Sequence, residues 1–570
     1  MASGSGTFTN RQRHSRQGGP TILTAVAILC ALVVALPILS VLANLFASPS
    51  PVWTHLASTV LPSYIVNTVV LGVLVGIGTV FGGTVTAWLV TMCRFPGRPL
   101  LEVGLVLPLA MPTYVIAYAY TDLLQYAGPV ESLLRAVTGW EHGDYWFPEI
   151  RSLGGAAMLF TFVLYPYVYL LARASFLEQS ACALEVSRSL GQGPLGTFFR
   201  VALPLARPAI VAGASLALME TLADYGAVAY FALPTFTAGI YRAWISMGDV
   251  AAAGQLASAL FALIALTLLL ERLNRGRRRF FHTTQRLREL GGTELRGAAA
   301  LLAIGVCALP ILIGFVVPTI TLLHLWLDTG RALLTPRFLA ALSSTVLLAG
   351  AAALIAVALA LFLALARRYD RRPLIAGAVD FAALGYAIPG SVIAIGVLVP
   401  ITAFDRSLSA SLTALLGVET RVILTGSILV LLFAYVVRFL AVALQSVQSG
   451  LTRVTPHMED AARSLARGPL DAFRRGALPV IAPSLFTAGL IVLVDVMKEL
   501  PATLLLRPFN LETLAVQAYA FAADERLAEA GLPALAIVAI GLLPVAFLMR
   551  EIAQSRAGTQ RGAGVRVVRE

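Results

Sequence analysis

The stretch EVSRSLGQGPLGTFFRVALPLARP, residues 185–208, returns as DAARSLARGPLDAFRRGALPVIAP at residues 460–483. The two align without a gap. Arg188 meets Arg463, Leu190 meets Leu465, and Gly193-Pro194-Leu195 meets Gly468-Pro469-Leu470. Phe198 meets Phe473, and Ala202-Leu203-Pro204 meets Ala477-Leu478-Pro479. So many identities at one offset of 275 residues mark an internal duplication, and each copy runs into a long apolar segment. Membrane proteins built from parallel repeats tend to place their pathway where the repeats meet.

Working outward, the composition leaves one solvent that suits the chain. Hydrophobic residues make up 58% of its 570 residues, charged residues 13%, and mean hydropathy is +0.83. A water-soluble domain could neither bury that much apolar surface nor solvate itself with so little charge. Segments of about 20 apolar residues or more cross the hydrocarbon core as helices, because lipid leaves no partner for unpaired backbone groups. Twelve such segments are predicted: 22–47, 63–92, 101–126, 154–177, 206–233 and 252–271, then 298–325, 341–366, 374–402, 422–448, 481–506 and 529–550. The expected fold is an all-α integral membrane protein with twelve transmembrane helices in two homologous six-helix halves.

The formal net charge of +12 does not point to nucleic acid. The single lysine, Lys498, lies in an apolar segment, and the arginines cluster in short loops between apolar runs, with no separate basic domain. Arginine-rich loops stay on the cytoplasmic side. That rule puts both termini, both repeated loops and the block Arg272, Arg275, Arg277, Arg278, Arg279, Arg286, Arg288 and Arg296 inside. The resulting organisation is a cytoplasmic tail (1–21), a first repeat (22–271, with loop 181–208), a basic linker (272–297) read as a solvated tether, a second repeat (298–550, with loop 456–483) and a cytoplasmic tail (551–570). Arg11, Arg13 and Arg16 precede an apolar run too long for a signal-peptide core, so a retained first helix is expected. Cys30, Cys93, Cys182 and Cys307 are too scattered for a disulfide framework or a zinc site.

Each repeated loop opens with an acid, Glu185 or Asp460, which suits the first turn of a short helix. A Gly-Pro pair then ends that helix, since the residue before proline avoids helical angles. Phe198 or Phe473 follows as an aromatic anchor on a second helical stretch leading to Pro204 or Pro479. The loop reads as a helix–turn–helix knob on the inner face.

The two loops resemble the EAA loop of permease subunits of bacterial ATP-binding-cassette importers, the type I permease fold. The resemblance implies a coupling helix that docks into a cleft on an ATPase subunit. It assigns that role to Glu185, Arg188, Leu190, Gly191, Gly193, Pro194, Phe198 and Pro204, and to Asp460, Arg463, Leu465, Gly468, Pro469, Phe473 and Pro479. Copy two departs where Asp460 replaces the glutamate and Ala466 stands opposite Gly191. No GxxxxGK(S/T) phosphate loop occurs, so hydrolysis is expected on a separate subunit. The chain itself is then no enzyme and binds no cofactor. Its partners are two ATPase copies carrying ATP and magnesium, a periplasmic binding protein and the bilayer of the bacterial inner membrane.

The same offset carries Glu220 to Asp495 and Asp224 to Glu499. In each copy the acids are four residues apart, hence on one helix face, with Lys498 beside the second pair. A charge at the bilayer centre costs roughly 2.5–3.5 kcal/mol on insertion scales, so these acids need a partner. The candidates are a passing cation, pairing with Lys498 or Arg438, or exposure to a wet vestibule. Tyr225, Tyr230 and Tyr241 could add phenol oxygens to the path; these three and Tyr114, Tyr118 and Tyr120 are otherwise read as interfacial belt residues. The words ETLADYGAVAYF (220–231), FTAGIYRAW (236–244) and KELPATLLLRPFNLETLA (498–515) are similar to those of fused ferric-iron permeases. That similarity implies ferric iron as cargo, with transient contacts at Glu220, Asp224, Asp495 and Glu499 and no resident metal. Thiamine, polyamine or other small-solute permeases share the architecture. An ion-coupled secondary transporter is the rival from another class, and it leaves the paired loops without a purpose.

Overall fold

The computed structural model describes residues 22–554 except 47, 49, 142–143, 180–186, 188–190, 192, 276–292, 329–334, 371, 417–423 and 467. Among them, eleven helices are long and apolar enough to cross a membrane. A twelfth span is bent by 95° between 98–110 and 113–138. The chain is an all-α multi-pass membrane protein, as its composition requires.

Three long helices pack on one another in each half. They are Leu61–Met92, Leu153–Glu178 and Leu203–Ala223 in the first, and Pro336–Tyr369, Ile428–Thr452 and Leu478–Met497 in the second. Lipid provides no hydrophobic drive between helices, so association depends on close packing at small residues. A Cβ on Gly83 would stand 2.6 Å from Val168 Cβ, and one on Gly213 would stand 2.6 Å from Val168 Cα. Both crossings therefore require glycine.

The halves are interleaved. Helix Ile22–Asn44 of the first half packs against Pro373–Ala382 and Gly390–Leu416 of the second. In return, Ala298–Ile311 packs against Arg98–Gly104, and the last helix, Leu527–Gln554, lies against Leu107–Ala110. Each repeat thus lends its outer helices to the other.

Proline sets the interruptions. Met111 (φ −92°, ψ 112°) and Ile388 (φ −98°, ψ 131°) are extended because each precedes a proline. Segment 374–402, expected as one helix, is therefore Pro373–Ala382, a 3-10 turn Ala383–Ala387, and Gly390–Leu416. Two other expected spans end early. The helix in 206–233 stops at Ala223, and the one in 481–506 stops at Met497. Short helices follow each: Gly226–Tyr230 and Phe236–Tyr241, then Pro501–Leu506 and Leu514–Ala523.

The linker differs from a free tether at both ends. Helix Val250–Arg275 continues into it, and Thr293–Glu294 pairs in parallel with Cys93–Arg94. The Leu295 N–H also donates to the Arg94 carbonyl at 2.9 Å. Residues 276–292, with most of the linker arginines, lie outside the described residues.

Candidate translocation cavity and docking loops

A polar cavity of about 160 Å³ opens where the two interrupted segments of each half converge. Its wall contains Glu220, Asp224, Asp495, Lys498 and Glu499, which the sequence had paired at one offset, and it adds Arg438 and Tyr114. The four acids do not share one job. Asp224 Oδ1 accepts the N–H groups of Ala227 (2.9 Å) and Val228 (3.3 Å), and Oδ2 accepts the Thr113 hydroxyl. Its equivalent, Glu499, accepts the Ala502 N–H at 3.1 Å through Oε1, and its Oε2 faces Arg438 Nε at 3.3 Å. Both carboxylates cap the short helix that begins just after them, which is why the long helices stop there. The Asp224 and Glu499 carbonyls also accept threonine hydroxyls, from Thr237 at 2.7 Å and Thr503 at 2.6 Å, though the two threonines are not equivalent positions.

Glu220 and Asp495 are free of that work. Each is half-buried, one turn before a cap, and lines the cavity. Asp495 Oδ1 is 3.9 Å from Lys498 Nζ, a loose pair, and Glu220 accepts no hydrogen bond among the described residues. Among the described residues no three His, Cys, Asp or Glu side chains converge as a metal-ligand set. The wall carries four carboxylates and two cationic side chains, and the carboxylates are not arranged to cage a metal ion.

Two readings of the aromatic residues need correction. Tyr225 does not line the cavity. It is buried, stacks on Tyr241 with ring centroids 3.9 Å apart, and meets the Tyr519 hydroxyl at 3.2 Å. Tyr114, Tyr118 and Tyr120 are buried inside the bundle, so they are not belt residues. Burial of the hydroxyls is compensated where a carbonyl is near: Tyr120 donates to Ile313 O at 2.9 Å. Arg438, offered by the sequence as one possible partner of the acids, is the cation that pairs with Glu499, and its place deep within the apolar segment 422–448 was the signal.

The docking loops are partly visible. Glu185, Arg188 and Leu190 lie outside the described residues. Gly191 is left-handed (φ +78°), whereas Ala466 at the matching place is extended (φ −94°, ψ 149°). The glycine-to-alanine departure thus has its own backbone solution. In copy two the helix Pro456–Leu465 starts earlier than expected. Thr455 caps it and Glu459, not Asp460, is its first-turn acid. The helix has no buried residue, and Leu465 and Leu470 are 84% and 70% exposed. Arg368 holds it to the bundle, donating to Glu459 at 2.8 Å and to the Leu451 and Val454 carbonyls at 2.7 Å. After Gly193-Pro194 and Gly468-Pro469 the chain becomes helical, with a π turn at Phe198–Ala202 and again at Phe473–Ala477. Phe198 points inward against Trp88, with ring centroids 4.9 Å apart, so it anchors the loop to its own half. Pro204 and Pro479 each occupy the first turn of the following long helix.

Residues 78–276 match the family described as binding-protein-dependent transport system inner membrane component. Along nearly its whole length the chain is also similar to Fe(3+)-transport system permease protein FbpB 2 of Haemophilus influenzae. The two are 28% identical over 492 residues, covering 85% of this chain and 89% of that protein. Over nearly its whole length the chain is similar to an importer permease. The "Probable molybdenum ABC transporter permease protein" of Haloferax volcanii is 28% identical to the permease over 246 residues, which is 87% of that protein but 42% of this one. A sulfate transport system permease protein CysT of Escherichia coli is 31% identical over 155 residues, 26% of this chain and 51% of that one. A relative matched nearly end to end by less than half of the permease is what two fused halves produce. These relatives are transport subunits; in importers of this kind a separate subunit hydrolyses ATP, a binding protein delivers the solute, and the permease lies in the inner membrane.

Proposed function

We propose that this permease carries ferric iron, received from a periplasmic binding protein, through the cavity between its halves. The observation that carries the reading is the charge of that cavity. Glu220, Asp224, Asp495 and Glu499 face only Arg438 and Lys498, which leaves an excess of acid in a low-dielectric wall. Such a wall lowers the energy of a multivalent cation and raises that of an oxyanion. Similarity to a ferric permease over both halves supports the same cargo. Hard carboxylate oxygens suit a hard cation, and ligands that do not converge let it leave.

Both knobs face the cytoplasm, with the termini and the linker. Each knob seats one ATPase, so one fused chain serves two copies. When the ATPases close on ATP, the knobs approach each other and the interleaved halves rock as bodies, turning the cavity outward to receive iron. Hydrolysis returns the cavity to the inside. Glu220 and Asp495 touch the cargo; Asp224 and Glu499 hold the interrupted helices in place; Gly191, Gly193, Pro194, Gly468 and Pro469 shape the knobs.

Radioiron uptake in cells carrying Glu220→Gln with Asp495→Asn tests this directly. Uptake falls by about tenfold or more, as expected when charge is removed from a low-dielectric path, while the protein remains inserted. Unchanged uptake would assign those acids to structure, and uptake of molybdate or sulfate in place of iron would overturn the cargo.

A further inference from the structure

The two halves satisfy their matched cap by different means, and the difference places a charge in the path. PTYVIA at 112–117 corresponds to PGSVIA at 389–394, each just after a helix break, so Thr113 corresponds to Gly390. In the first half the Thr113 hydroxyl bonds the Asp224 carboxylate. In the second half there is no side chain at 390. A Cβ there would stand 2.3 Å from both Arg438 Nη1 and Glu499 Oε1. The guanidinium reaches in from helix Ile428–Thr452 through the space that glycine leaves, and it neutralises Glu499. Arg438 is only 11% exposed, lines the cavity, and its Nη1 has no hydrogen-bond partner among the described residues.

We infer that Arg438 is a specificity-determining residue whose positive charge keeps the cavity from trapping its own multivalent cation. This rests on the proposal that the cavity passes a metal cation. With Arg438 in place, Glu499 is paired and Glu220 and Asp495 alone meet the cargo. Without it, Glu499 becomes a third unpaired carboxylate in the same cavity wall, the cation is attracted to that wall more strongly, and release slows. A neutral replacement that restored the cap would separate this role from a structural one.

The test pairs Arg438→Gln with Gly390→Thr, which gives Glu499 the hydroxyl that Asp224 already has. The permease–ATPase complex is reconstituted in liposomes, and both radioiron uptake and iron retained on the washed complex are measured. The double variant is expected to retain about tenfold more iron and to transport it more slowly, once Glu499 Oε1 has turned from the 2.3 Å approach that a Cβ at 390 would meet. Uptake and retention equal to wild type in a stable double variant would overturn the inference. Equal loss of uptake without extra retention would also overturn it, marking Arg438 as structural. Absence of iron uptake by the wild-type complex would instead refute the cargo.

Discussion

Gly191→Ala isolates the docking knob from everything around it. The residue holds φ +78°, and a Cβ built there meets nothing within 4 Å. Alanine therefore brings no clash, only the strain of a left-handed L-residue, about 1–2 kcal/mol. Gly191 lies just before the Gly193-Pro194 turn, so the strain is relieved by a change of backbone angle at 191. If the ATPase requires the original turn, its affinity drops by about 5- to 30-fold, the factor that corresponds to such an energy. Gly193 is the internal control. It also has nothing within 4 Å of a built Cβ, and its φ lies outside the left-handed region. The assay is titration of purified ATPase onto the permease in nanodiscs, followed by coupled uptake. Gly191→Ala weakens binding by the stated factor and Gly193→Ala does not. Equal affinity for Gly191→Ala and wild type would refute the reasoning, as would equal losses for both variants.

Two further outcomes follow from the geometry. Glu102 accepts from Arg173 at 2.9 and 2.6 Å with both side chains buried, so Glu102→Ala takes the carboxylate from a buried guanidinium and costs about 3–5 kcal/mol; thermal unfolding in detergent should register it as a large drop in Tm. At the surface, Arg337 donates to Glu512 at 2.9 and 2.8 Å and holds that carboxyl below the usual glutamate range. A depressed carboxyl stabilises the fold above its unfolded value and loses that contribution as pH falls through the folded one. Arg337→Gln should therefore lower Tm at neutral pH by a small amount, and the difference should vanish in acid.

The duplication made most of this architecture legible. It located both acid pairs in one cavity wall and both helical stretches after the Gly-Pro pairs from one offset. Apolar length located the spans for the same physical reason that lipid demands it. What the pattern could not reveal was where a span stops. Hydropathy does not change at Asp224 or Glu499; the helices end there because a carboxylate caps the next turn, and capping partners such as Thr113 and Arg438 come from distant segments. The tyrosines misled because an amphipathic ring suits a lipid interface and a buried polar core equally well, and only burial separates the two. Interleaving of the halves, with residues 22–44 seated on 390–416, has no local signature at all.

Native mass spectrometry of the detergent-purified complex tests the central claim most directly. The account predicts one copy of this chain with two copies of the ATPase, reduced to one ATPase when Leu465 and Leu470 of the second knob are changed to aspartate. A wild-type complex that carries a single ATPase, or none, would contradict it.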